Sequence, residues 1–182
     1  MNNKQNLDVK KRIMFNKEDD YYFITYNILV FLDTLGCVNE NNRFIDYTKL
    51  TYIIPFISNH ILLDIIVRYK DSDQLPNNEE LELLKETYYR SRLKIKLLTS
   101  ILFALERNEY IALKKNSSRH TIDIWLQKDK IPESFFDSKL FNIEIEHSKK
   151  LKEVSPRIRI LTVGKLLERL FRDKGVKVWQ VL

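Results

Sequence analysis

The chain has 182 residues, 44% of them hydrophobic and 31% charged, with a formal net charge of +6. That length fits one ordinary domain or two small ones of roughly 70 to 90 residues, and the apolar content excludes wholesale disorder. Only 3 Gly, 4 Pro and 1 Cys occur, and no GxxxxGK[ST] or GxGxxG pattern is present, which excludes a glycine-rich phosphate loop, a disulfide framework and a multi-cysteine zinc site.

The opening MNNKQNLDVKKRIMF is polar, without an apolar h-region, so residues 1–16 read as a basic arm and no signal peptide is expected. Asp19 or Asp20 is placed to cap a helix over 22–35, and Gly36 to end it. Residues 39–42 read as a turn and 43–46 as a short extended piece. Thr48 opens a helix over 49–57, and Ser58 or Asn59 opens another over 60–69. DSDQLPNN (71–78) has the composition of a linker. It predicts a division into an N-terminal helical unit, 1–70, and a second unit, 79–182.

Beyond the linker, an acidic helix is expected over 79–89 and a second over 90–109, with a bend near Arg90 and Ser91 or one continuous helix. Residues 110–113 and 121–127 are strand-like, joined by the basic turn KKNSSRH (114–120). A connector begins at Ile131, an amphipathic helix covers 138–154, and Pro156 breaks it. Thr162 caps a helix over 163–173, Gly175 ends it, and VKVWQVL closes as a strand. The predicted class is mainly α with a small β-hairpin (α+β). Helix, helix and hairpin over 79–128 is the outline of a winged helix, tandem if 44–46 is the reduced strand of a first copy.

The apolar runs are short and broken by Lys, Arg or Asp, so no transmembrane span is expected and the cytoplasm is the default location. Charge is unevenly spread. Residues 17–90 carry seven basic and thirteen acidic side chains, and residues 91–182 carry twenty and eleven. This asymmetry points to a polyanion near the C-terminal half and a basic protein surface near the middle.

Arg90, Arg92, Lys94 and Lys96 cross the start of the expected second helix. Arg90 and Lys94 share one face, Arg92 and Lys96 another, a broad shoulder suited to phosphate contact more than base reading. Lys114, Lys115 and Arg119 lie at the hairpin tip, where a wing meets a DNA backbone. Lys165, Arg169 and Arg172 form a third basic stripe at i, i+4 and i+7. Each group suits either DNA or an acidic protein. For partner contact the candidates are Tyr52, Phe56, Tyr69, Tyr88 and Tyr89, since aromatic side chains anchor interfaces well.

Chemistry has weaker support. His60, His120 and His147 are scattered, and none has metal-ligand spacing. Asp123 in a wing strand and His147 on a charged helix are expected at the surface. A nuclease-like enzyme would require at least two of Asp123, Asp129, Glu144, Glu146 and His147 to converge. No catalytic residue, metal, cofactor, small molecule or membrane is expected.

The helix ITYNILVFLDTL, the following RFIDYTKLTYIIPFI, and the pair YYRSRLKIKLLTSILFALERNEYIAL with its hairpin resemble the small middle components of bacterial three-component ABC/SMC-type defence operons. That group includes the third subunit of Lamassu systems. The resemblance covers nearly the whole chain, and it rests on helix-and-hairpin pattern, not on a sharp motif. It implies a cytoplasmic, non-enzymatic accessory subunit joining an SMC-like coiled-coil ATPase to an effector, with double-stranded DNA as a further contact. The family supplies no catalytic residue to transfer. The rival from a different class is a free-standing winged-helix transcriptional regulator, which predicts a symmetric dimer on a palindromic site.

Overall fold

The structure, a computed structural model, describes residues 20–72, 74–136 and 141–179. The expected arm at 1–16 lies outside them. The described chain is mainly helical with one two-stranded antiparallel sheet.

Helix α1 (Tyr21–Thr34) starts where the Asp20 carboxylate accepts the backbone N–H groups of Tyr22 and Phe23, at 2.8 and 3.3 Å. These donors have no partner inside the helix, so the cap supplies one. Gly36 ends α1 at φ +68°, with nothing near the place a Cβ would occupy. Conformation, not space, is what calls for glycine there. The expected extended piece at 43–46 contributes a single bridge, in which Phe44 and Ile124 exchange backbone hydrogen bonds of 2.7 and 2.9 Å. Asp46 then caps a 3₁₀ turn, Tyr47–Lys49, that leads into α2 (Leu50–Ser58). Asn59 closes α2 and caps α3 (His60–Arg68), and the chain turns by 100° between them.

Helix α2 is the centre of the molecule. It packs against α1, α3, α4 (Asn78–Leu93), α5 (Ile95–Arg107) and α6 (Asn142–Val154), and Leu50 through Ile57 are all buried. Enclosure on all sides explains why LTYIIPFI carries no polar stripe. It also corrects the interface expected there: Tyr52 and Phe56 are fully buried. They form an aromatic cluster with Tyr88 of α4 and Phe171, at ring separations of 5.4 to 6.3 Å. No single helix among the described residues is long and apolar enough to cross a membrane.

The segment 71–78 does not divide the core. One cluster of buried side chains runs from Ile24 through Leu84 and Leu102 to Val176, so both sides of the expected linker share it. Helix α4 opens with a capping box, Asn77 and Glu80 each accepting the other's backbone N–H, and has Arg90 and Arg92 in its last turn. The bend falls at Lys94, between α4 and α5, and not at Arg90. Buried positions 84, 87, 91, 98, 101 and 105 keep helical phase across it. Periodicity therefore gives no warning of the bend. It follows instead from a change of neighbour, since α4 lies on α2 and α3 while α5 turns to β1.

Strands β1 (Ile111–Asn116) and β2 (Thr121–Leu126) pair with Lys114 opposite Asp123 and Lys115 opposite Ile122. The strand is longer than expected, so Lys114 and Lys115 belong to β1, and Arg119 remains at the tip. Phe44 joins this same hairpin, so the reduced strand left open for a tandem copy has its partner in the one sheet of the described residues. Helix α6 begins at Asn142 and α7 (Val163–Leu170) is capped by Thr162. Residues 138–140 of the expected helix lie outside the described residues. A 3₁₀ turn, Arg172–Lys174, replaces the expected end of α7.

Residues 176–179 pair with no strand, which corrects the expected terminal strand there; its last residues, 180–182, lie outside the described residues. The segment is held instead by a side chain. The Tyr88 hydroxyl accepts the Trp179 backbone N–H at 3.0 Å and donates to the Trp179 carbonyl at 3.1 Å.

Candidate nucleic-acid interface

The hairpin is fixed to the body by one buried carboxylate. Asp123, 1% exposed, accepts hydrogen bonds from Arg43 Nε (2.7 Å), Asn116 Nδ2 (2.8 Å), the Asp46 backbone N–H (3.1 Å) and Thr121 Oγ1 (3.4 Å). This corrects the expectation of an exposed wing residue. A second clamp is Lys49, also fully buried, whose ammonium donates to the Ile158 and Arg159 carbonyls at 2.8 and 3.0 Å and lies 4.2 Å from the Phe44 ring centroid. Burial pushes the Lys49 ammonium down to about 7, partly offset by the Asp46 charge. Arg119 at the hairpin tip donates to the Ile160 carbonyl at 3.1 Å. Asp123 and Arg119 thus tie the hairpin to the body on one side.

Its other side faces α5. The residues exposed on that helix are Lys96, Ser100, Phe103 and Arg107, spaced i, i+4, i+7 and i+11, opposite buried Leu98, Ile101, Leu102 and Leu105. Residues of like direction alternate along a strand, so Leu113 and Lys115 share one face of β1 with Ile122 across from Lys115. Between ridge and hairpin runs an open groove of about 610 Å³, lined by Phe103, Glu106, Leu113, Lys115 and Ile122 among others. Asp46 and His120 also reach it. The result is a groove with Phe103, Leu113 and Ile122 as its apolar part, Lys114 and Lys115 on the hairpin bank, and Lys96 and Arg107 exposed along the α5 ridge that carries Phe103.

The sequence-predicted cations fare unequally. Arg90 pairs with Glu86 at 2.6 Å, and Arg92 lies 6.0 Å from the ring centroids of both Tyr88 and Trp179. Both sit on α4, Lys94 in the bend and Lys96 on α5, so the shoulder spans two helices. Lys114 and Lys115 both line the groove, and Lys114 forms an ion pair with Glu40. In the third stripe, Glu168 takes Lys165 at 2.6 Å and Arg172 at 3.6 Å, and Arg169 donates to Ser155 Oγ at 3.2 Å. One carboxylate, Glu168, thus serves two of the three cations of that stripe.

Among the aromatic candidates, Tyr88 is buried with Tyr52 and Phe56, and the Tyr69 hydroxyl donates to Glu80 at 3.0 Å. Only Tyr89 is well exposed, beside Trp179 with ring centroids 5.7 Å apart. The acidic set of a nuclease is split. Asp123 is committed to Arg43 and its neighbours. His147 is buried on α6, against the surface position expected for it, and its Nδ1 donates to the Ile57 carbonyl at 2.7 Å. Among the described residues no three His, Cys, Asp or Glu side chains stand close enough to hold a metal ion. Buried Cys37 has its thiol pushed up to about 12 by desolvation.

Sequence reasoning missed Ser100, Phe103 and Arg107, although their helical spacing with Lys96 was available. It missed the Arg43–Asp123 pair for another reason: the two residues lie 80 positions apart, and no local pattern joins them. Comparison with protein-family models, with curated proteins and with solved structures finds no match to this chain.

Proposed function

We propose that this protein is a non-enzymatic binding subunit with winged-helix character. It lies along the backbone of double-stranded DNA and joins an SMC-like coiled-coil ATPase to an effector in a cytoplasmic defence complex. The observation that carries the DNA contact is that Lys96 and Arg107 share the exposed face of α5 with Phe103, which lines one groove with Lys114 and Lys115 from β1. The order of elements supports the winged-helix part. Helix α1, the Phe44 bridge, α2, α5 and the hairpin follow as helix, strand, helix, helix and wing, with α3 and α4 inserted ahead of α5. In that arrangement α5 takes the recognition position and the hairpin flanks it.

The charge on this surface is modest. Glu106 and Asp46 lie in the groove and Glu40 occupies Lys114. A few phosphate contacts suit a subunit that binds weakly alone and firmly in an assembly. The resemblance of the RFIDYTKLTYIIPFI region and its flanking helices to middle components of ABC/SMC-type operons supports the assembly itself. ATP hydrolysis and strand cutting belong to the partners in this reading.

The test is co-expression with the products of the adjacent genes, followed by filter binding to duplex DNA. The expected result is a stable complex containing a coiled-coil ATPase, with duplex affinity above that of the isolated chain. A symmetric dimer that binds a palindromic site on its own would overturn the accessory role in favour of a free-standing regulator.

A further inference from the structure

Phe103 stands at the middle of a cationic ridge, 52% exposed. A large apolar ring gains nothing from phosphate oxygens, and a smooth duplex keeps the faces of its bases stacked away from any side chain. The ring does not stand alone. Leu113 and Ile122 from the hairpin continue its apolar surface into the groove of about 610 Å³, a volume inside the roughly 300–1,000 Å³ range of sites that enclose small ligands. Glu106, one turn along α5, and Asp46 lie in the same groove. Carboxylates there repel phosphate and accept hydrogen bonds from exocyclic amino groups of bases.

We propose that the groove between α5 and the hairpin takes a single unpaired nucleobase, stacked on Phe103, while Lys96, Arg107 and Lys115 hold the phosphates on either side. This rests on the nucleic-acid reading above and narrows it: the preferred ligand is DNA with an unpaired nucleotide beside a duplex, and not uninterrupted duplex. Base stacking on an aromatic side chain is indifferent to sequence. The two carboxylates add a preference for amine-bearing cytosine over thymine at the stacked position.

The experiment is fluorescence anisotropy at low salt with three labelled probes: a blunt duplex, the same duplex with a short cytosine overhang, and that overhang with abasic sites. The overhang probe is expected to bind about tenfold tighter than the other two, the size of one lost base stack. Phe103→Leu, which keeps apolar bulk without a π face, abolishes that advantage, so that all three probes bind alike. Phe103→Trp retains it. Equal affinity of the parent protein for all three probes, or an advantage that survives Phe103→Leu, overturns the inference while leaving duplex binding intact. Displacement of the overhang by free dCMP at equal nucleotide concentration overturns it too, because the site would then hold a mononucleotide. Failure of every probe to bind overturns the nucleic-acid reading itself.

Discussion

Asp123→Asn isolates the clamp that sets the hairpin against the body. The carboxylate has four partners, and Arg43, Asn116 and the Asp46 backbone all present N–H donors to it. An asparagine keeps the shape but replaces one acceptor oxygen by a donor. Turned toward Arg43 and Asn116, that amide would face two donors. Turned the other way, it faces the Asp46 N–H. The better orientation still loses charge assistance toward Arg43, about 1–1.5 kcal/mol, and leaves a buried N–H without an acceptor, about 1–3 kcal/mol. Arg43 is 32% exposed, so water recovers part of its share and the net expectation is about 3 kcal/mol. Urea denaturation of both proteins measures it, with a double-mutant cycle against Arg43→Met to isolate the pair. Amide exchange at 122–124 should rise with the loss of stability. A destabilisation below about 1 kcal/mol, or no coupling to Arg43, refutes the clamp.

Three further predictions concern the interior. Lys49 has a folded-state pKa of about 7 against an ordinary 10.5. Below pH 7 both states are protonated and the folded state bears the full burial penalty. Between pH 7 and 10.5 the unfolded chain holds a proton that the folded chain has released, so stability rises by roughly 1.4 kcal/mol per pH unit. Relative to Lys49→Met, the parent protein should therefore gain about 2 kcal/mol from pH 7 to 8.5, and parallel denaturation curves at the two pH values would contradict this. Tyr88→Phe removes both hydrogen bonds to Trp179. It should cost about 1–2 kcal/mol and red-shift tryptophan emission, read against a Trp125→Phe background; an unmoved spectrum counts against the clasp. Cys37, buried and with its thiol pushed up to about 12, should react with a disulfide reagent only as fast as the chain unfolds, and prompt labelling of the native protein would refute its enclosure.

The legible part of this fold was local. Caps at Asp20, Asn59 and Thr162 and the stop at Gly36 follow from side-chain hydrogen bonding and backbone conformation that act over a few residues, and each stands where the sequence indicated. What failed depends on neighbours distant in the chain. Tyr52 and Phe56 looked like interface anchors because nothing local says that five helices surround α2. Val176 and Val178 looked like strand residues, yet with no partner edge nearby the backbone answers to the Tyr88 hydroxyl instead.

The site divides in the same way. Lys96 and Lys115 were legible as exposed cations, whereas the neutralisation of Arg90, Lys114 and Lys165 by Glu86, Glu40 and Glu168 depends on packing in one case and on choices among equal neighbours in the others. Phe103 was overlooked because an aromatic at helical spacing beside Leu102 reads as core.

The central claim, contact with DNA through Lys96 and Arg107 on the α5 ridge and Lys115 at the groove, is tested most directly by the salt dependence of duplex binding. Each phosphate contact contributes about 0.9 to the slope of log affinity against log salt. Changing Lys96, Arg107 and Lys115 together to Ala should lower that slope by about 3 units, while changing Lys165, Arg169 and Arg172 should lower it by less than about 1. An unchanged slope in the first variant, or an equal loss in both, would contradict the account.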